Sequence, residues 1–347
     1  MTRKKQIGHK SILRIIAACL LVSTILFFTP VADLLLPDVS AASDSNPIAD
    51  IWRQVREGQP GYTAVSGQET DVLIEGSGEN WRQLRNGPLA TLSAWLQGIT
   101  VLALTLFFLV RGKVRLTEKK TGQMVHRWSL TERLLHWYTA ILFIMLSITG
   151  LSLLYGRAVL IPFIGHESFA LYAQIAKQFH NFGGLMFIAG LFMMIVLWLK
   201  DNLPNRLDIE WFKAFGGMIG DHHPSAERMN GGEKAWFWLL CFAGIGVVTT
   251  GLLLDFPNIG LNRLPMQISH LIHVSLAVVL IVGSLGHIYI GTIGTEGAFE
   301  GMISGKVDSS WAKQHHDLWY EEIVDNSKIK TSDSPLSSTV PKRDRGI

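Results

Sequence analysis

Five apolar runs of membrane length constrain this chain more than any other feature. They cover residues 92–110, 134–155, 182–199, 235–254 and 271–293. A helix needs about 20 largely apolar residues to cross the roughly 30 Å of hydrocarbon in a bilayer, and each run comes close to that length. Lipid offers no hydrogen-bond partner to the backbone, so runs like these are expected as α-helices. Charged residues make up only 17% of the 347, fewer than a soluble protein of this size carries. The net charge of +3 is too small to point to nucleic acid. The expected fold class is an all-α membrane protein.

The amino terminus reads as an export signal over residues 1–42. Arg3, Lys4, Lys5, Lys10 and Arg14 precede an apolar run at 15–28, and Val39-Ser40-Ala41-Ala42 offers small residues suited to cleavage. An uncleaved anchor is the alternative. Residues 43–91 are polar and interrupted by Gly58-Gln59-Pro60-Gly61. They are expected as a small exported (periplasmic) segment or a loosely ordered linker, with 92–110 as an additional transmembrane helix after it. A polar, disordered cytoplasmic tail is expected over 323–347. The loop 111–133 holds seven Lys and Arg and the loop 200–234 holds five, whereas the opposite loops hold Arg157, Lys177 and Arg263. Twelve against three is expected to place the basic loops and the carboxy terminus on the cytoplasmic side of the membrane.

Four histidines lie near the ends of these runs: His136, His180, His273 and His287. An ionisable side chain at membrane depth is rare and points to function. His136 and His287 lie toward the cytoplasmic face, His180 and His273 toward the outer one. His273 and His287 are 14 residues apart, about 21 Å along a helix and within about 40° of the same face. Paired by depth, His180 with His273 and His136 with His287 fit the axial positions of two stacked b-type haems. The two cysteines, Cys19 and Cys241, supply neither a covalent haem attachment nor an iron–sulfur ligand set. Any haem is therefore non-covalent, and any iron–sulfur relay belongs to a partner. Gly183, Gly184, Gly283 and Gly286 would leave room for a flat macrocycle or serve helix packing. His270 is expected as a non-ligand, and His222, His223, His315 and His316 as solvated groups in polar stretches.

These residues carry a resemblance. Glu132-Arg133-Leu134-Leu135-His136-Trp137, Phe179-His180-Asn181-Phe182-Gly183-Gly184, Leu271-Ile272-His273 and Gly286-His287-Ile288-Tyr289 resemble the four ligand motifs of the gamma subunits of membrane-bound formate dehydrogenases. The stretch Gly301–Val307, with Trp311-Ala312-Lys313-Gln314-His315-His316-Asp317-Leu318-Trp319-Tyr320, is similar to that family's tail. The similarity covers residues 115–322, which implies a four-helix, di-haem cytochrome b domain there. The chain looks like a longer branch carrying an amino-terminal extension and an extra span. The resemblance implies a molybdenum or tungsten catalytic (alpha) subunit, an iron–sulfur (beta) subunit, and quinone (menaquinone or ubiquinone) as acceptor. It implies a quinone pocket near His287, Asn230 and Glu233, although Glu233 stands where the shorter branch carries glutamine. No residue of this chain is expected to be catalytic. The alternatives are the cytochrome b of another respiratory enzyme, such as a nickel–iron hydrogenase or a thiosulfate reductase, and a haem-free transporter or anchor.

Overall fold

A computed structural model describes residues 49–57, 76–219, 223–258 and 261–332. The expected export signal lies outside them. The described residues form two compact units, one made of the residues up to Val114 with Leu130–Leu199 and Trp236–Thr295, the other of Arg115–Ser129, Lys200–Ala235 and the residues from Glu296 onward.

The first unit is helical. A short helix α1 spans Ala49–Arg56. Helix α2, Gly76–Leu84, passes through a single π-turn at Arg85–Leu89 into α3, Ala90–Arg111. Pro88 sits in that turn, where its missing N–H breaks the regular ladder without ending the helix. The helix that carries the extra apolar run therefore begins well before residue 92, and part of the expected exported segment is its foot. Its small residues Ala90 and Ala94 are buried against Tyr155, Leu151 and Leu154. The Tyr155 hydroxyl donates to the Ala90 carbonyl at 2.9 Å.

Helices α4, Leu130–Val159, and α5, Ile161–Trp198, form an antiparallel pair with Leu160 between them. Where the start of α4 meets the end of α5, Trp198 Nε1–H donates to the buried Glu132 carboxylate at 3.2 Å. Helix α5 is far longer than its apolar run. It continues through polar residues such as Glu167, Gln174 and Lys177, with a kink at Gly165, whose φ is 77°. Helices α7, Gly231–Asp255, and α8, Arg263–Tyr289, complete the spans. Only 17–33% of each apolar window is buried within the chain, so much of the spans' surface is left for lipid, cofactor or partner chains.

The second unit is small and has its own core. Strands β1, Met124–His126, and β2, Lys306–Asp308, pair antiparallel with Val125 opposite Val307. Helix α6, Arg206–Lys213, starts on an Asn205–Asp208 capping box. Helices α9, Ala298–Ser304, α10, Ser309–His315, and α11, Asp317–Ser332, follow one another. Asp308 caps α10, accepting from Ser310 N–H at 2.9 Å and from Gly122 N–H at 2.9 Å. Val307, Trp311, Ala312 and Trp319 are the buried centre. Helix α11 carries regular structure as far as Ser332, into the stretch expected as disordered tail.

Candidate functional site

The first unit brings the four histidines together in two pairs. His136 on α4 faces His287 on α8, and His180 on α5 faces His273 on α8. The ring centroids are 6.1 Å apart in both pairs. An iron between two imidazole nitrogens has bonds of about 2 Å, and each nitrogen lies about 1.1 Å from its ring centre, so collinear imidazoles stand about 6.2 Å apart. Both gaps fit that span.

Hydrogen bonds fix which nitrogen is free in the outer pair. His273 Nδ1 lies 3.0 Å from the Val247 carbonyl, which can only accept, so Nδ1 carries the proton. Thr250 Oγ1 is a second neighbour at 3.1 Å, and its own hydroxyl donates to the Gly246 carbonyl at 2.7 Å. His180 has the matching arrangement. Its Nδ1 is 2.9 Å from Thr149 Oγ1, whose hydroxyl donates to the Met145 carbonyl at 2.8 Å. With that proton committed, the threonine oxygen accepts from Nδ1–H. In both rings Nε2 is left unprotonated, as a metal ligand must be.

Each threonine is followed by a glycine. A Cβ built on Gly150 would lie 3.2 Å from His180 Cε1, and one built on Gly251 would lie 3.2 Å from His273 Cε1. The missing side chain lets each ring lie against the opposite helix. The inner pair is held differently. Trp236 stacks on His287 at 5.2 Å with planes 14° apart, and Trp137 meets His136 edge-on at 5.2 Å. Gly283 makes room for Trp236, since a Cβ there would lie 2.8 Å from its ring. Gly184 and Gly286 face open space, and Gly183 makes an ordinary contact with Leu146. His136 Nδ1 is buried and has no partner among the described residues, an orphan that a cofactor or solvent would have to satisfy.

Sequence reasoning missed Thr149, Thr250 and Trp236. A threonine is unremarkable in an apolar helix, and it becomes informative only once the opposite histidine is placed. The detectable signal was the Thr-Gly dipeptide, which occurs on both α4 and α7.

Asn230 and Glu233 lie in the second unit, whereas His287 lies in the first. The two residues cap the start of α7 reciprocally: Asn230 N–H donates to Glu233 Oε2 at 2.9 Å, and Glu233 N–H donates to Asn230 Oδ1 at 3.0 Å. Glu233 also pairs with buried Arg127 at 3.0 Å. Arg127 lies over the rings of Trp128, Trp311 and Trp319. His316 is 1% exposed, which corrects its expected solvation. Its Nδ1–H donates to the Glu227 carbonyl at 2.8 Å, and its Nε2 lies 3.1 Å from Arg127 Nη2. Burial, then the Arg127 charge, holds His316 well below the usual histidine range. His315, half-buried, packs on Trp311 at 5.1 Å and on His223 at 5.5 Å. Burial, then His316 and His223, holds it at about 3. The polar stretch hid these rings because the nearby tryptophans supply the cover that hydropathy did not show.

Residues 127–305 match the family model described as prokaryotic cytochrome b561, a stretch containing all four paired histidines. The chain is also similar to curated relatives. One is the cytochrome b556(Fdn) subunit of nitrate-inducible formate dehydrogenase from Escherichia coli (strain K12), 29% identical over 221 residues, covering 62% of this chain and 99% of the relative. Another is the formate dehydrogenase cytochrome b556 subunit of Haemophilus influenzae, 32% identical over 199 residues, covering 55% and 80%. A third is the cytochrome b556(fdo) subunit of Escherichia coli (strain K12), 29% identical over 215 residues, covering 61% and 99%.

Proposed function

Because the chain belongs to the prokaryotic cytochrome b561 family, we propose that it is the membrane cytochrome b subunit of a respiratory formate dehydrogenase. The observation that carries the reading is the pair of equal 6.1 Å gaps between facing imidazoles. His180 and His273 would hold an outer haem b, His136 and His287 an inner one. Haem b supplies reversible one-electron chemistry, which here serves to pass electrons from an iron–sulfur subunit to a quinone.

The protein's own residues do the rest. Thr149, Thr250 and the Val247 carbonyl hold the outer imidazoles in one tautomer and one orientation. Two imidazoles per metal leave no open position for oxygen or substrate. Trp236 and Trp137 pack against the inner rings and limit their orientation. The charge distribution of the loops supports a cytoplasmic second unit and an outward foot for the extra helix. In that orientation the partner that oxidises formate lies outside. Quinone reduction on the inner side takes up cytoplasmic protons. Charge is then separated across the membrane without a pump.

Membranes containing the full complex test this. Formate should reduce a b-type absorbance, and added quinone should reoxidise it with a membrane potential in sealed vesicles. A purified chain with no bis-imidazole haem signal would reject the reading.

A further inference from the structure

Near the outer pair, the foot of the extra helix meets the start of α8 in a polar cluster that no known function accounts for. Trp81 and Arg85 are four residues apart and share one helix face, as do Gln267 and His270 at three apart. The Trp81 and His270 rings meet edge-on at 5.4 Å, and Arg85 lies close enough for its charge to act on His270. Three buried polar atoms here have no hydrogen-bond partner among the described residues: Trp81 Nε1, Gln267 Oε1 and His270 Nδ1. Buried polar atoms are nearly always paired, so an orphaned group of this kind asks for an explanation.

Arg85 adds a charge. Its guanidinium donates to Asn86 Oδ1 at 2.6 Å and to the Leu153 carbonyl at 3.5 Å, and no carboxylate among the described residues pairs with it. A half-buried guanidinium at the membrane edge without a counter-ion is costly. Trp81 Nε1–H, Arg85, His270 Nδ1–H and the Gln267 amide (whose oxygen and nitrogen exchange places on rotation) together form a donor cradle for an anionic, multi-oxygen group. His270 is one turn outward of His273 on α8, so the cradle lies on the outer side of the outer imidazole pair.

We propose that Trp81, Arg85, Gln267 and His270 bind the carboxylates of the outer haem, so that the amino-terminal extension completes that haem's site. This rests on the di-haem reading given above. It assigns the extra helix a task in the outer site: charge neutralisation and tuning of one haem. Removing a cation beside a haem stabilises the oxidised iron, so the effect should appear in one redox component alone.

The test is a potentiometric titration of the b-type absorbance of the full chain, with His273→Ala used to identify the outer component as the one it removes. In Arg85→Gln, the outer component should shift to lower potential while the inner one stays in place. Haem transfer from that component to an excess of a haem-scavenging protein should quicken by about tenfold or more, the scale of a lost charge-assisted hydrogen bond. Arg85→Lys should restore most of the potential, and His270→Leu should shift it in the same direction as Arg85→Gln. If neither component moves, or both move equally, the proposal is wrong. A potential that follows anionic against neutral vesicle lipid and ignores the variants would assign the cradle to a lipid headgroup and overturn it. A wild-type chain without haem would instead sink the di-haem reading.

Discussion

His273→Ala is expected to remove one haem of two and leave the other untouched. The two imidazole pairs share no residue, and His273 and His287 stand about 21 Å apart on α8. Sites separated by more than about 10 Å with no shared partner behave additively. The reduced-minus-oxidised b absorbance per chain should therefore fall by about half in His273→Ala and by about half in His287→Ala, and should vanish in the double variant. A redox titration should change from two components to one, with a different component surviving in each single variant. The local packing supports survival of the fold: His273 is held by the Thr250 hydroxyl and the Val247 carbonyl, both of which have other hydrogen-bonding options or ready access to water in the vacated space. Loss of both haems on either single substitution, with the protein still inserted, would refute the pairing. So would retention of both, or the same component surviving in both variants.

Gly251→Val should weaken the outer haem selectively, because even a Cβ there lies 3.2 Å from the His273 ring; haem-to-protein ratios after purification check this. His315 is half-buried and His316 buried, both neutral, with folded pKa values depressed below 6.5 and His315 at about 3. The unfolded chain thus binds more protons below pH 6.5, and stability present above that pH should be lost as pH falls toward 3. His315 alone would account for about 2 kcal/mol between pH 6.5 and 4.5; thermal unfolding of the solubilised chain that is flat over this window would contradict it. Glu233→Leu removes a partner of Arg127, whose side chain is 2% exposed. Because Glu233 itself is partly solvated, the cost should be about 1–3 kcal/mol, seen as a lower Tm with both haem signals unchanged. Tyr155→Phe removes the bond to the Ala90 carbonyl and should cost about 1 kcal/mol, read as easier proteolytic release of the extra helix.

Much of this architecture could be read from hydropathy and four histidines. The spans and the depth of each histidine follow from apolar runs and from a rise of about 1.5 Å per residue, and these determine which rings can face each other. Three things could not be read that way. The foot of α2 is polar, and Pro88 reads as a break, although a π-turn carries the helix through it. Thr149 and Thr250 gain meaning only from tertiary neighbours. His315 and His316 sit in a charged stretch, yet they are covered by Trp311 and Trp319, whose contacts depend on the fold of the second unit.

Helix α7 places Trp236 on His287 and Thr250 on His273, and its two contacts are 14 residues apart, as are the two histidines of α8. Two antiparallel rods carry the same interval, so the spacing of the two imidazole pairs is written twice in covalent geometry. Under the di-haem reading that interval sets how far an electron would have to hop, and helix pitch holds it. Inserting one residue between His273 and His287 would swing one ring by about 100° and put it out of step with both its facing histidine and its α7 brace.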